Sequence, residues 1–533
     1  MDRVARLVGT NAPGLGPGPL ARRIGVSITS AILMSPIRRL ASQTAVYGLS
    51  SILGRFLNYL LVPLYTYSFA ARDYGVVSEF YAYAGFLSVI LGFGLETAYF
   101  RFRATLGEPK AFQTAFWLLL PLNGLFLLGA IEGREEIAKA LHYPDHPRYV
   151  VYFALILAAD ALGGLPFARL RAEEKALRFA GIKLTEIGLT VGLNLWWVLG
   201  SDSESVLSAP SLLGVDLAGL GIEAIFVANL VASLVKLLLL APEWLRIGGG
   251  WKGGAPRSML GYALPMVVVG LAGMVNEMLD RVALKHLLPG DFEANLRELG
   301  IYAACYKLSL LMTLFVQAFR YAGEPFFFAY ARREGAREIY ARVMQYFVIF
   351  CGAIYLLVVL FLNEFQYFVG EEYRAGLAVV PVLLMANLFL GVYVNLSIWY
   401  KLTDRTGLGA LLSLLGAALT VALNVAWIPR YGYLGAAWAT LACYASMAVG
   451  SWWLGRHFYP IPYPLGRLGG YLILVLALAA AQAPLMAILS LSNEAAGALL
   501  LGAYGLIALG VEGWSVRNQR PRPQESVSGE QDR

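Results

Sequence analysis

The chain has 533 residues, 58% of them hydrophobic and only 14% charged, with a mean hydropathy of +0.61, a balance that a water-soluble globular fold does not carry. Its net charge of +7 does not call for nucleic acid, because in so apolar a chain Lys and Arg mark cytoplasmic loops. The three cysteines fall in apolar runs and the four histidines are scattered, with no CxxC or HExxH spacing to seat a disulfide framework or a metal centre.

Residues 1–40 are rich in Gly, Pro and Arg and read as a disordered basic extension. The apolar stretch Ile24 to Met34 is too short to cross a bilayer core that needs about 20 residues, and Met34 is an alternative start. From residue 41 onward, apolar runs bounded by charge, Pro or Gly predict spans near 42–69, 79–100, 112–131, 149–168, 179–200, 212–241 and 259–288, then near 300–329, 343–363, 377–400, 408–428, 432–454, 468–490 and 495–514. Lipid offers backbone groups no partners, and these runs lack period-2 alternation, so they are helices and not barrel strands. The expected fold is an all-α membrane protein of about 14 transmembrane helices.

The charge distribution fixes an orientation. Most of the 42 Lys and Arg fall in the tails and in the loops on the same side as the tails: Arg38 and Arg39, Arg101 with Arg103, Arg169 to Arg178, Arg332 to Arg342, and Arg517 to Arg522. The loops at 201–211 and 490–494 carry none. Both termini are therefore expected in the cytoplasm, with the chain in an inner (plasma) membrane.

A repeat divides the chain. Asp73-Tyr74-Gly75-Val76 with Tyr81 aligns with Glu298-Leu299-Gly300-Ile301 and Tyr306 at an offset of 225 residues, each opening the second span of a six-span block. Such blocks would be parallel repeats. The expected organisation is an N-lobe at 41–241, a cytoplasmic linker at 242–258 around the Gly-rich GGGWKGGAPR, a C-lobe at 259–455, two further spans at 456–514, and a disordered tail at 515–533.

Charges inside spans are the candidate functional residues, because each costs about 2.5–3.5 kcal/mol to insert unless it faces a cavity or a partner. In the first block they are Arg55, Glu96, Asp160, Lys183, Glu186, Asp216, Glu223 and Lys236; in the second, Glu277, Asp280, Arg281, Lys307, Arg320 and Glu324. Helical spacing puts Arg55, Asn58 and Tyr59 on one stripe, Glu277, Asp280 and Arg281 on another, and Gln317, Arg320, Tyr321 and Glu324 on a third, which one polar groove would join. Lys183 with Glu186, and Arg320 with Glu324, are spaced to neutralise each other within a helix. Asp160, Lys236, Arg101, Arg103 and Asp216 sit near span ends, where they can snorkel to water. Arg55, Asp280, Arg281 and Lys307 have no evident partner on their own helix. A Tyr cluster at residues 65, 67, 74, 81 and 83 serves either as an interfacial anchor, the ordinary role, or as a platform for sugar rings.

The stretches SQTAVYGLSSILGRFLNYLLVPLYTYSFAARDYGVVSEFYAYAGFL from Ser42, GYALPMVVVGLAGMVNEMLDRVALKHLLP from Gly261, ELGIYAACYKLSLLMTLFVQAFRYAGEPFFF from Glu298 and YGYLGAAWATL from Tyr431 resemble the bacterial polysaccharide transporter (oligosaccharide flippase) family, within the multidrug, oligosaccharidyl-lipid and polysaccharide exporter superfamily. The resemblance, over about residues 40–510, implies two pseudo-symmetric six-helix lobes around a central cavity, two C-terminal helices and alternating access. It implies as substrate a polyprenyl-pyrophosphate-linked oligosaccharide, with the glycan polymerase machinery as a further partner. No site residue is transferred from it. On charge alone, Arg55, Arg281, Lys307 and Arg320 are the candidate pyrophosphate contacts. Asn58, Gln317 and Tyr321 are expected to line the groove, and Glu277, Asp280 and Glu324 to take a coupling proton or sodium ion. No cofactor is expected beyond such an ion gradient. Two rival classes remain: a cation-coupled multidrug exporter of the same fold, which a groove with several arginines suits poorly, and a membrane glycan polymerase or ligase. The latter needs a substantial outer loop, whereas the longest here, near 131–148, holds Glu132, Arg134, Glu135, Glu136, His142, Asp145 and His146. The chain is read as a transporter and not as an enzyme.

Overall fold

The computed structural model describes residues 52–201, 221–245, 256–331 and 333–518, and all regular structure among them is helical. The first half comprises α1 (52–59), α2 (Leu61–Ser68), α3 (Ala71–Gly92), α4 (Leu95–Leu106), α5 (Glu108–Glu132), α6 (Arg134–Ala140), α7 (Pro147–Ala172), α8 (Ala176–Ser201) and α9 (Glu223–Leu245). The second comprises α10 (Pro256–Leu287), α11 (Phe292–Leu308), α12 (Leu310–Tyr330), α13 (Ala336–Leu360), α14 (Leu362–Phe365), α15 (Val379–Leu396), α16 (Ile398–Leu402) and α17 (Thr406–Phe458). Two more helices follow, α18 (Leu465–Leu489) and α19 (Asn493–Asn518).

Among the described residues, ten helices are long and apolar enough to cross a membrane, or eleven if the bent pair α11 and α12 is one span. This is a multi-pass membrane protein, although the expected count of 14 is not reached by that criterion. One reason lies in α17, whose 53 residues would measure about 80 Å if straight, far more than a bilayer core of about 30 Å. It holds two of the expected spans, broken at Gly432, whose φ of 60° and ψ of −143° are not helical. There the chain doubles back so tightly that a Cβ on Gly435 would lie 2.5 Å from the Trp427 carbonyl oxygen. Element ends also shift: α9 continues to Leu245, into the expected linker, and α19 to Asn518, into the expected tail. The extension at 1–40, the loop at 201–211 beyond Ser201, Asp216 and most of the linker lie outside the described residues.

The two halves pack together along α10, which runs beside α3 and α4, and at one end of the bundle α3 crosses α11. The glycines of the repeat face each other at this crossing: a Cβ on Gly75 would be driven into the Leu296 carbonyl oxygen, and one on Gly300 into that of Ala71. Only glycine on both helices allows so close an approach. Around it, Lys285 at the end of α10 donates to Glu79 of α3 at 2.5 Å and to the Leu141 carbonyl at 2.8 Å, while Tyr143 donates to the other Glu79 oxygen at 2.5 Å. Lys285 and Glu79 are both buried. Arg72 pairs with Glu293, and the segment 366–376 of the second half closes over α2: Gly370 donates to Thr66 Oγ1 at 3.1 Å and Tyr373 to the Phe69 carbonyl at 2.7 Å. Glu372 accepts from the Ala71 amide at 3.0 Å and from Arg297 at 2.7 Å. The Arg297 guanidinium, and then that amide, hold its carboxyl below the usual range.

The last two helices are pinned to the second half by α13. Glu512 of α19 accepts from Gln345 at 2.6 Å and from Tyr471 of α18 at 2.8 Å, and Tyr504 donates to the Ile349 carbonyl at 2.9 Å.

Candidate functional site

Below the α3–α11 crossing lies a cavity of about 290 Å³ lined by both halves. Arg281 of α10 and Lys307 of α11 reach it from the second half and Asn58 of α1 from the first. Arg281 is held in place from its own helix: its Nη1 donates to the Glu277 carbonyl at 2.8 Å and lies 3.3 Å from Asp280 Oδ1, and the guanidinium sits 4.4 Å over the Tyr306 ring. Asp280 is fixed in turn by the Tyr302 hydroxyl at 2.5 Å. Lys307 has no ion-pair partner among the described residues. Arg281, Glu277 and Arg55 are its electrostatic neighbours, but exposed Arg55 does not line the cavity, so two of the four expected cations do.

The expected single groove is not formed. The stripe Gln317, Arg320, Tyr321 and Glu324 was drawn on a straight span, but α11 and α12 meet at a bend of 50°. Ser309 sits at that bend, donating to the Tyr306 carbonyl at 2.7 Å and accepting from Asn387 at 3.1 Å. Lys307 therefore lies on one arm and the stripe on the other, and none of the four stripe residues lines the cavity. Arg320 is exposed, 5.8 Å over the Tyr321 ring, and Glu324 pairs not with it but with Lys401 at 2.5 Å. Asp280, expected to lack a partner on its helix, has one in Arg281. Neighbouring residues diverge by about 100° around a helix, yet the long Arg side chain folds back far enough to meet the carboxylate. Of the three carboxylates put forward for a coupling ion, Asp280 and Glu324 are engaged and Glu277 is exposed.

Two further expectations are corrected. Lys236 does not reach water at a span end: it is 3% exposed and pairs with the exposed Asp160 of α7 and, at 2.8 Å, with Glu186 of α8. Lys183 does pair with Glu186, also at 2.8 Å. These four charges cancel within the first half. The Tyr cluster divides. Tyr65, Tyr74 and Tyr81 line the cavity, Tyr67 donates across the halves to the Tyr367 carbonyl at 2.9 Å, and Tyr83 faces an apolar groove that excludes the cavity's charges.

Sequence reasoning passed over Glu79 and Lys285 because both stand at the edges of expected spans, where a charge ordinarily finds water. It also passed over Ser78, Thr190 and Asn229 of the cavity wall. The spacing of Tyr74, Ser78 and Tyr81 at i, i+4 and i+7 on one helix was the available signal.

The sequence model of a family described as "Polysaccharide biosynthesis protein" matches residues 69–365. No curated protein matches the chain. Among solved structures, the lipid II flippase MurJ in an inward closed conformation is similar with a TM-score of 0.63 at 12% identity, over 88% of this chain and 99% of that one. A multidrug resistance MATE family transporter of the MOP superfamily, inward-facing, is similar with a TM-score of 0.56 at 13% identity, over 78% and 94%. A Vibrio cholerae MATE transporter gives 0.53 at 15%, over 80% and 96%. At such identities the likeness is one of fold.

Proposed function

Because the chain belongs to the polysaccharide biosynthesis protein family, matched over residues 69–365, we propose that it is a flippase for a polyprenyl-pyrophosphate-linked oligosaccharide, carried from the cytoplasmic to the periplasmic leaflet by alternating access. One observation carries this reading: a cavity between the two halves of a membrane bundle is furnished with Arg281 and with Lys307, which has no ion-pair partner among the described residues. Leaving the Lys307 charge without a counter-ion inside the protein is costly in hydrocarbon. A pyrophosphate would supply the missing anion, and a guanidinium suits its oxygens. The fold likeness to MurJ supports a lipid substrate whose head group is too polar to cross unaided.

In this reading the bacterial inner membrane is the location, both termini are cytoplasmic, and the Gly75–Gly300 crossing is the periplasmic gate, closed. The basic clusters at the opposite end, such as Arg169 to Arg178, support that orientation. Arg281 and Lys307 hold the pyrophosphate, and Glu277 is the carboxylate free to take a coupling proton or sodium ion. The glycan polymerase machinery receives the product. The chain acts as a transporter and makes or breaks no covalent bond.

Reconstituted protein is expected to move a fluorescent polyprenyl-pyrophosphate glycan across liposomes. Failure under every proton and sodium gradient would refute the proposal. The MATE likeness favours a second reading, export of cationic drugs, which the cations of the cavity oppose. A deletion strain with lost surface glycan and unchanged drug susceptibility would remove it.

A further inference from the structure

The cavity has two chemically different walls. The second half supplies its charge, Arg281 and Lys307, whereas the residues that the first half contributes are all neutral. The repeat makes the contrast specific: at the offset of 225, the position of Lys307 corresponds to Ala82, which also lines the cavity. Related positions thus offer an ammonium on one side and a methyl group on the other. What the first half presents instead is an aromatic ring with amides and hydroxyls. Tyr81 is 42% exposed, braced edge-on by Phe153 at 5.7 Å. Its hydroxyl accepts from Asn229 Nδ2 at 2.7 Å, and Asn229 also donates to the Ile225 carbonyl at 2.7 Å. The Tyr81 hydroxyl proton is left to donate. Thr190 donates to the Glu186 carbonyl at 3.0 Å, so its oxygen remains open to accept. Asn58 makes no hydrogen bond among the described residues, leaving a whole amide turned to the cavity.

Fixed aromatic rings with neutral donors and acceptors beside them suit a ring that is apolar on its C–H face and hydroxylated at its edge. A sugar has that surface, and a phosphate does not. We propose that Tyr81, Asn229, Thr190 and Asn58 form a carbohydrate subsite that takes the sugar next to the pyrophosphate, while Arg281 and Lys307 take the pyrophosphate itself. This rests on the flippase reading. The cavity volume of about 290 Å³ lies at the low end for small-molecule sites, about 300–1,000 Å³, which fits the junction of the substrate and not its whole glycan. Because the two walls belong to different halves, only a ligand with both parts bridges them.

Binding to the purified full chain tests this with two probes: undecaprenyl pyrophosphate, and the lipid-linked glycan extracted from the cells that make the protein. Tyr81→Ala and Asn229→Leu are expected to weaken the glycosylated lipid by about tenfold and the bare pyrophosphate by less than about twofold. Tyr81→Phe, which keeps the ring, should fall between, and Lys307→Met should weaken both probes. Retained pyrophosphate binding shows that the Tyr81 and Asn229 variants are folded, and an unchanged or raised thermal unfolding temperature in detergent shows it for Lys307→Met. The subsite is overturned if Tyr81→Ala and Asn229→Leu leave both affinities unchanged or lower them equally, or if wild-type protein binds the two probes alike. Wild-type protein that binds neither probe would instead remove the flippase reading itself.

Discussion

At the scale of single residues, the contrast between paired and unpaired buried charge separates structure from candidate function. Lys307 stands without an ion-pair partner among the described residues, so its insertion cost of about 2.5–3.5 kcal/mol is not offset internally. Lys307→Met should therefore preserve or raise the thermal unfolding temperature in detergent while cutting liposome transport at least about tenfold, as expected where function is held against stability. Unchanged transport would remove this side chain from the site. Lys285 should behave oppositely. Its loss leaves Glu79 buried with neutral tyrosine hydroxyls, such as that of Tyr143, and no cation paired with it among the described residues, and breaking a buried pair costs about 3–5 kcal/mol. Lys285→Met should lower the unfolding temperature markedly, and the double variant Glu79→Leu with Lys285→Met should recover most of the loss. A single variant as stable as wild type would show that the pair does not hold the halves together.

At the scale of elements, the α3–α11 crossing is set by two hydrogen atoms in place of side chains. Gly75→Leu forces the helices apart at that end, since its Cβ alone would strike the Leu296 carbonyl. A cysteine at the buried Thr66, under the segment that closes over α2, should then react faster with an impermeant maleimide in Gly75→Leu than in the Gly75 background, and equal rates would contradict a gate at this crossing. The same label reads a pH effect. Glu372 has its carboxyl held low by Arg297 and the Ala71 amide, so its contribution to closure is complete above the ordinary carboxylate pKa of about 4.3. That contribution is lost only as pH falls through the depressed value. Relative to a solvent-exposed control cysteine, which corrects for the loss of reactive thiolate at low pH, labelling should be flat from about pH 8 to 5 and rise below about 4.

At the scale of the whole molecule, orientation and bundle geometry together make the transport reading testable without substrate. A reporter fused after Arg533 should be active only on the cytoplasmic side, and a cysteine replacing the exposed Lys139 of α6 should be labelled from outside intact cells. Labelling of that cysteine only after lysis would invert the topology and with it the direction of the gate.

Much of this architecture was written in composition. Apolar runs longer than a bilayer core require helices wherever they occur, and the placement of Lys and Arg yields a consistent sidedness, because both depend on solvent and not on which helix lies beside which. Gly75 and Gly300 were also matched to each other in sequence, and the structure brings the two into contact. The site was legible only in part. Arg281 and Lys307 were found by their cost in lipid and Asn58 by its helical spacing from Arg55, but Arg320 and Glu324 were drawn into the same groove by a periodicity that assumes an unbroken helix, and the chain bends at Ser309. Whether a buried charge is free or neutralised depends on neighbours hundreds of residues away, as Glu79 has in Lys285, or on another helix, as Lys236 has in Asp160. Those distances are set by packing between helices, and local sequence carries no record of them.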